Sequence, residues 1–428
     1  MFRNIFLLVI AFILTVTCSG GSDTETAQVS TSSTKSTPTE VVVATAVAPM
    51  PTAIPTEVVV PTATVAPMPT ATPRPIPQGF LEINCEDKST HIYCVSTDLA
   101  VPPETPNYTW GTLVDYSPEI FCGSDVPEKV CQWTAESLVA AFGKFGFYGP
   151  TEYWVIGADI ENIADVFCTR RVLRGHKSDK EKCISEQKDP NGYKMEHYRA
   201  MSAELISTNQ PRNGAALSGD RNNNYNLFYT SLPPGFMPAP IQVSAETDQN
   251  TIFHEAYHAY QNSFIQVKDH IQREELLGPT WWNEGTASYV PELAMLESLE
   301  DGTLKTVNAG GNRWPYDFKN KWKKNMEEGL SGMREQCPGQ GIKDLHHGNP
   351  CQTQYGNAAY YTIGGWAIAY LYNNHGLDAI NKVFYENLES LGWEGAFVKA
   401  FGMSSEEFYA DFEEFLELNL DEQLAILP

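Results

Sequence analysis

The stretch His254-Glu255-Ala256-Tyr257-His258 places two histidines four residues apart, with a glutamate directly after the first. Positions i and i+4 share one face of a helix, so both imidazoles can reach a single cation. Glu255 stands beside that face, where it can take a proton from a water molecule at the metal. The pattern therefore predicts a helix that carries two metal ligands and a general base.

The residues around this stretch also favour a helix. Aromatic side chains recur at helical spacing and predict a buried face distinct from the face of the histidines. Asp248 lies upstream and is a candidate N-cap. The aromatic residues are Phe253, Tyr257, Tyr260 and Phe264.

A catalytic zinc site needs three protein ligands and one open position, so a third ligand must follow. Glu284 in Trp281-Trp282-Asn283-Glu284-Gly285-Thr286-Ala287 is the candidate, 26 residues after His258. This interval leaves room for a loop and a second helix to return the carboxylate to the histidines. The alternative interpretation of Glu284 is an ordinary surface carboxylate. Pro291 is expected to end this second helix and begin another.

HExxH followed by W-x-N-E-G-x-A resembles the gluzincin clan of metallopeptidases. The resemblance implies a zincin-like fold and one Zn²⁺ per chain, held by His254, His258 and Glu284, with Glu255 as general base. The stretch 361–371 resembles the clan's Y-x-x-G-x-x-x-x-x-Y-L helix. In aminopeptidase-type relatives, the first tyrosine of that helix donates a hydrogen bond to the developing oxyanion. That residue would be Tyr361, with Tyr360 as the alternative, although tyrosines in aromatic-rich helices are commonly packing residues.

The resemblance covers about residues 245 to 415 and has two departures. The G-x-M-E-N segment, which anchors the substrate amine in aminopeptidase relatives, is absent upstream of His254. Ser288 stands where thermolysin-like relatives place an aspartate that braces a ligand histidine, so the corresponding partner is unnamed here.

The N-terminus indicates export. An apolar run from Ile5 to Val16 follows a single positive charge and is too short to span a bilayer, which is typical of a signal peptide over residues 1–17. The segment around Cys18 resembles a bacterial lipoprotein signal and implies lipidation of that cysteine, although Thr17 replaces the usual small residue. Residues 18–79 are rich in Thr and Pro and predict an extended, disordered stalk.

The cysteine count supports the same compartment. Nine cysteines leave eight once Cys18 is set aside, and these form four close couples along the chain. Sequential pairing is the simplest connectivity, and disulfides fit a location outside the cytosol. A cysteine-ligated zinc site is the alternative, but no CxxC occurs. The predicted pairs are Cys85–Cys94, Cys122–Cys131, Cys168–Cys183 and Cys337–Cys351.

The remaining patterns predict an α+β fold. Residues 80–245 mix a strand candidate at 153–156 with helical stretches at 135–145 and 160–172, whereas residues 246–428 are mainly helical. A capping box begins a helix at Ser404, whose Phe408, Phe412 and Phe415 share one face, and Gly376 and Gly402 stand where helices should end. We expect the N-terminal sheet-containing part to pack on the helical part, with the metal site in the cleft between.

The formal net charge of −24 argues against nucleic acid as a partner, because phosphate binding requires a basic surface. The expected partner is a peptide or protein substrate, with membrane contact only through the lipid anchor. The predicted function is zinc-dependent peptide-bond hydrolysis, of the endopeptidase type, by a protein that is lipid-anchored to a bacterial membrane or cell surface, or otherwise secreted. The alternatives are a non-catalytic zincin-fold binding or adhesion protein and an aminopeptidase.

Overall fold

A four-stranded mixed sheet and a larger set of helices build the fold of this protein in a computed structural model. The structure describes residues 110–113, 118–217, 219, 221–223, 225–238, 240–241, 243–307, 316–345 and 354–428. The predicted signal peptide, Cys18, the stalk, Cys85, Cys94 and Cys351 lie outside the described residues.

The strands are β1 (Glu119–Cys122), β2 (Thr151–Ile156), β3 (Ala215–Leu217) and β4 (Asn226–Ser231). The helices are α1 (Glu128–Phe145), α2 (Glu161–Leu173), α3 (Lys180–Gln187), α4 (Met195–Thr208), α5 (Ala245–Ser263), α6 (His270–Leu277), α7 (Thr280–Glu300), α8 (Phe318–Gln336), α9 (Gln354–His375), α10 (Tyr385–Phe401), α11 (Ser405–Leu416) and α12 (Leu420–Leu424). A π-helix, Ala379–Phe384, leads into α10, and 3-10 turns occupy Arg221–Asn223, Pro234–Phe236 and Ile342–Asp344.

The strand order is β1-β2-β4-β3. β1, β2 and β4 run parallel, and β3 pairs antiparallel with β4 as an edge strand, with Ala216 opposite Tyr229. Alternate residues of each strand point to two separate apolar clusters, as Tyr153 and Trp154 of β2 do. Both faces of the sheet are therefore covered, which explains why the strands read as continuous apolar runs and not as alternating patterns.

The structure confirms the α+β class and the main local predictions. β2 contains the predicted strand, α1 contains the predicted helix 135–145, and α2 covers the predicted helix 160–172 except its first residue. Ser404 forms the capping box of α11, whose three phenylalanines are all buried. Gly376 follows the end of α9, and Gly402 ends α10 with a positive φ of 74°.

Two predictions about helix ends are wrong. Asp248 is not an N-cap, because α5 begins at Ala245 and the Asp248 carboxylate is buried, where it accepts hydrogen bonds from Asn213 Nδ2 (2.7 Å) and Gly235 N (2.5 Å). Pro291 lies inside α7 and does not end it. The next residue, Glu292, is buried and binds Lys321 Nζ (2.7 Å), and α7 packs extensively against α9, so tertiary contacts stabilise the helix despite the hydrogen bond that the proline removes.

A buried ion cluster joins the beginnings of β1 and β2 to α2. Arg170 Nη2 lies 2.6 Å from Glu119 Oε1 and 3.4 Å from Glu152 Oε1, and Arg174 Nη2 lies 2.8 Å from Glu119 Oε2. Arg170 and Glu152 are completely buried. Charges so deeply buried are stable only while they remain paired, so this cluster fixes α2 against the sheet.

Two of the predicted disulfides, Cys122–Cys131 and Cys168–Cys183, are present. Cys337 is also disulfide-bonded, whereas its predicted partner Cys351 lies outside the described residues. Such cross-links are typical of proteins outside the cytosol. Within the described ranges, no helix combines the length and the apolar character needed to cross a membrane.

Candidate metal centre

Helices α5 and α7 bring the three predicted ligands together. His254 Nε2 and His258 Nε2 lie 3.1 Å apart, and each lies 3.4 Å from Glu284 Oε2. All three side chains are buried, and the group could hold a metal ion. It joins residues far apart in sequence, because Glu284 comes from a different helix than the two histidines.

These separations fit one tetrahedral cation. With metal–ligand bonds of about 2.0–2.1 Å, neighbouring ligand atoms of a tetrahedral site lie about 3.3 Å apart. Apart from the two imidazole nitrogens at 3.4 Å, Glu284 Oε2 is buried with no hydrogen-bond donor among the described residues. A buried carboxylate oxygen with only these long contacts is costly, and a cation at this point would satisfy it.

The ligands also perturb one another's protonation. Burial acts to lower the pKa of His258, but the adjacent Glu284 carboxylate outweighs it and raises that pKa above its usual value. Burial acts to raise the pKa of Glu284, but the adjacent His258 outweighs it and lowers that pKa. The metal-free group therefore favours a proton on the imidazole and a charge on the carboxylate, and a cation must compete with that proton.

Helices α7 and α9 cross closely, and this crossing positions Tyr361 next to the three ligands. A Cβ atom on Gly285 would lie 2.5 Å from the backbone of Gly364, so the two helices touch through backbone atoms. This crossing brings the ring of Tyr361 to 6.0 Å from the ring of His254, measured between centroids. The neighbouring Tyr360 is buried in the hydrophobic core. Tyr361 is thus the tyrosine placed beside a ligand histidine.

Glu255 lies between the ligand helix and the edge of the sheet. Its side chain is completely buried, and Oε2 accepts a hydrogen bond from the backbone N–H of Leu217 in β3 at 2.7 Å. Oε1 has no hydrogen-bond partner within the described part of the chain. Burial raises the pKa of Glu255, against the lowering effect of His254 and His258. A carboxylate with one free oxygen and raised basicity is suited to accept a proton.

The sequence patterns do not indicate two contacts of the site. Leu217 belongs to a three-residue strand that carries no motif. Gln261 lies one helical turn after His258 and places its Oε1 2.6 Å from His258 Nδ1. Only the spacing i, i+3 on the ligand helix could have indicated this glutamine. Ser288, the position of the missing aspartate, instead donates to the backbone oxygen of Glu284 at 2.7 Å.

Comparison with known proteins adds no identification to this geometry. The chain matches no protein-family model, no curated protein and no solved structure.

Proposed function

We propose that this protein is a zinc-dependent peptidase of the gluzincin type that hydrolyses internal peptide bonds outside the cytosol. The observation that carries the proposal is the convergence of His254, His258 and Glu284 at 3.1–3.4 Å, with the buried carboxylate of Glu255 alongside. A purely structural metal site would have four protein ligands and no need of a neighbouring base.

Zinc is the metal that best fits the donor set. Two imidazoles and one carboxylate are borderline ligands, and a set of three with an open fourth position is the arrangement of catalytic zinc sites. Within the described residues, His254, His258 and Glu284 are the only such group of histidine, cysteine and acidic side chains. When bound, zinc would supply a Lewis acid that activates water and polarises the scissile carbonyl.

The chain's own residues supply the remaining steps. Glu255 accepts the proton of the attacking water through its free Oε1 and then delivers that proton to the leaving amine. The Leu217 N–H holds the other oxygen and keeps the carboxylate oriented. Tyr361, beside His254, donates a hydrogen bond to the oxyanion.

The edge strand gives the substrate a place to bind. β3 ends the sheet on one side, and an extended peptide could pair with its outer edge through backbone hydrogen bonds, beside the Leu217 N–H that Glu255 already occupies. Because Glu255 accepts a hydrogen bond from the backbone of β3, a peptide aligned with this strand would pass close to the general base. Recognition through backbone groups favours cleavage within a chain over recognition of a free terminus.

The test compares Glu255→Gln with Glu246→Gln, a matched change in the same helix at a buried glutamate in the first turn. The zinc content of each purified protein is measured after dialysis, and cleavage of casein is followed. We expect Glu255→Gln to keep zinc and to lose at least about 100-fold in turnover, the scale of general acid–base catalysis. Glu246→Gln should keep both.

Other outcomes contradict the proposal. A fully active Glu255→Gln variant would refute the assigned base. Zinc binding without any cleavage would favour a non-catalytic binding or adhesion protein. Cleavage of amino-acid amides alone would favour an aminopeptidase. Membrane extraction and mass measurement of the mature N-terminus would test lipidation of Cys18.

A further inference from the structure

The side chain of Gln261 makes contacts on both sides of its amide, and three of the four are buried. Its Oε1 lies 2.6 Å from His258 Nδ1. Its Nε2 lies 2.9 Å from Asn283 O and 2.7 Å from Thr286 Oγ1, with Tyr385 OH at 3.0 Å. Gln261 has no solvent exposure, so these partners must satisfy it fully.

These contacts fix which way the amide points. The Asn283 carbonyl can only accept, and Thr286 Oγ1 donates to Trp282 O at 2.7 Å, so it accepts from Gln261. The NH₂ group of Gln261 must therefore face α7, and its carbonyl oxygen must face His258. It follows that the neutral, metal-binding form of His258 carries its proton on Nδ1 and offers Nε2 to the metal position.

The same amide joins the two helices that carry the ligands. Gln261 and His258 belong to α5, whereas Asn283 and Thr286 flank Glu284 on α7. The contact with Asn283 reaches the residue directly before the third ligand. A single side chain thus sets the tautomer of one ligand and joins its helix to the turn that bears another, a link that stabilises the metal-free protein.

We propose that Gln261 is the positioning residue of the metal centre, holding His258 as an Nε2 ligand and fastening α5 to the Glu284 turn of α7. This inference deepens the proposed function and rests on its metal site, not on peptide cleavage. Partners of a ligand histidine orient the ring and are worth about 10- to 100-fold in metal affinity. Here the partner is an uncharged amide, which adds no negative charge to the site.

The experiment measures zinc affinity by competition with a chromophoric chelator, together with the melting temperature of the zinc-free protein. Gln261→Met keeps the size of the side chain but removes both roles, and we expect zinc affinity to fall about 10- to 100-fold. Gln261→Glu keeps an oxygen that accepts from His258 but cannot donate to Asn283. We expect it to retain zinc affinity within about threefold while lowering the melting temperature of the zinc-free protein.

Gln249→Met is the matched control. Gln249 lies on the same helix, is buried, and donates to Lys305 O at 2.9 Å without being a ligand partner. It should lower the melting temperature and leave zinc affinity unchanged, which separates a role at the metal from a general cost of substitution in α5. The visible absorption of the cobalt-loaded protein should change in Gln261→Met and not in Gln249→Met.

Two results would overturn the assignment. The first is wild-type zinc affinity in Gln261→Met. The second is a loss of zinc affinity in Gln261→Glu as large as that in Gln261→Met. If Gln261→Met does not fold, a loss of more than about tenfold in Gln261→Glu suffices to overturn it, and retained affinity supports it. A wild-type chain that keeps zinc but cleaves no peptide refutes the proposed function alone, whereas one that keeps no zinc refutes both.

Discussion

The crossing of α7 and α9 offers a direct test, because it leaves no room for a side chain at Gly285. A Cβ atom there would lie 2.5 Å from the carbonyl carbon and oxygen of Gly364, whereas ordinary contact begins at 3.4 Å. The variant Gly285→Ala therefore requires the helices to separate locally by about 0.9 Å, the difference between these distances. Both atoms are backbone, so neither can rotate away.

Gly143→Ala is the control for this change. Gly143 lies in α1, and a Cβ atom built there meets nothing within 4 Å. Both substitutions gain helix propensity, about 1 kcal/mol. Overpacking at Gly285 costs about 1–3 kcal/mol. We therefore expect the free energy of unfolding of Gly285→Ala to lie about 1–3 kcal/mol below that of Gly143→Ala in urea titrations.

The same displacement should reach the metal centre, since Glu284 directly precedes Gly285. Metal–ligand distances tolerate only about 0.2 Å, which is well below the required separation. We expect Gly285→Ala to bind zinc more weakly and Gly143→Ala to bind it normally. Equal stability of the two variants, together with wild-type zinc affinity in Gly285→Ala, would show that the crossing is not as tight as described.

Three further predictions concern charge. Burial raises the pKa of Asp248 to about 7. Below pH 4 the group is protonated in both the folded and the unfolded state and does not change the free energy of unfolding. As pH rises from 4 to 7, burial of this group lowers the free energy of unfolding by up to about 4 kcal/mol. Asp248→Asn should remove this loss, which is measured by urea unfolding of both proteins at pH 5 and pH 8. An equal change in the free energy of unfolding between the two pH values in the wild type and the variant would contradict it. Because Glu284 raises the pKa of His258, zinc binding at pH 7 should release a proton. Calorimetry in two buffers of different ionisation enthalpy measures the number of protons released per zinc bound, and a value of zero would contradict the prediction. Arg170→Met should lower the free energy of unfolding by about 3–5 kcal/mol, since it leaves the paired carboxylates of the ion cluster buried without their main partner, and a neutral effect in urea titration would exclude that role.

The sequence predicted those parts of the site that depend on helical periodicity. The spacing of His254 and His258 requires only a helix, and the structure supplies it in α5. The position of Glu284 depended on its motif, and its carboxylate oxygen does lie 3.4 Å from both histidines. The short-range cysteine pairs Cys122–Cys131 and Cys168–Cys183 were predictable for the same local reason.

The contacts that complete the site could not be predicted, because they join segments that are distant in sequence. Leu217 meets Glu255 only after a three-residue strand has paired with β4. Gln261 gains its partners on α7 and α10 through tertiary packing. The predictions for Asp248 and Pro291 fail because burial and the tertiary packing of α7 outweigh the local rules for helix caps and helix breakers.

The two observed cross-links have a consequence for the order in which the chain matures. The paired cysteines are only 9 residues apart in Cys122–Cys131 and 15 residues apart in Cys168–Cys183. A loop of about ten residues closes within about 10–100 ns, long before a multi-helix core can assemble. The thiols of each pair can therefore meet before any core has formed, whereas forming the bond itself takes seconds or longer and needs an oxidant. These two cross-links do not depend on tertiary structure to bring their cysteines together, but the metal centre does, since its ligands come from two helices.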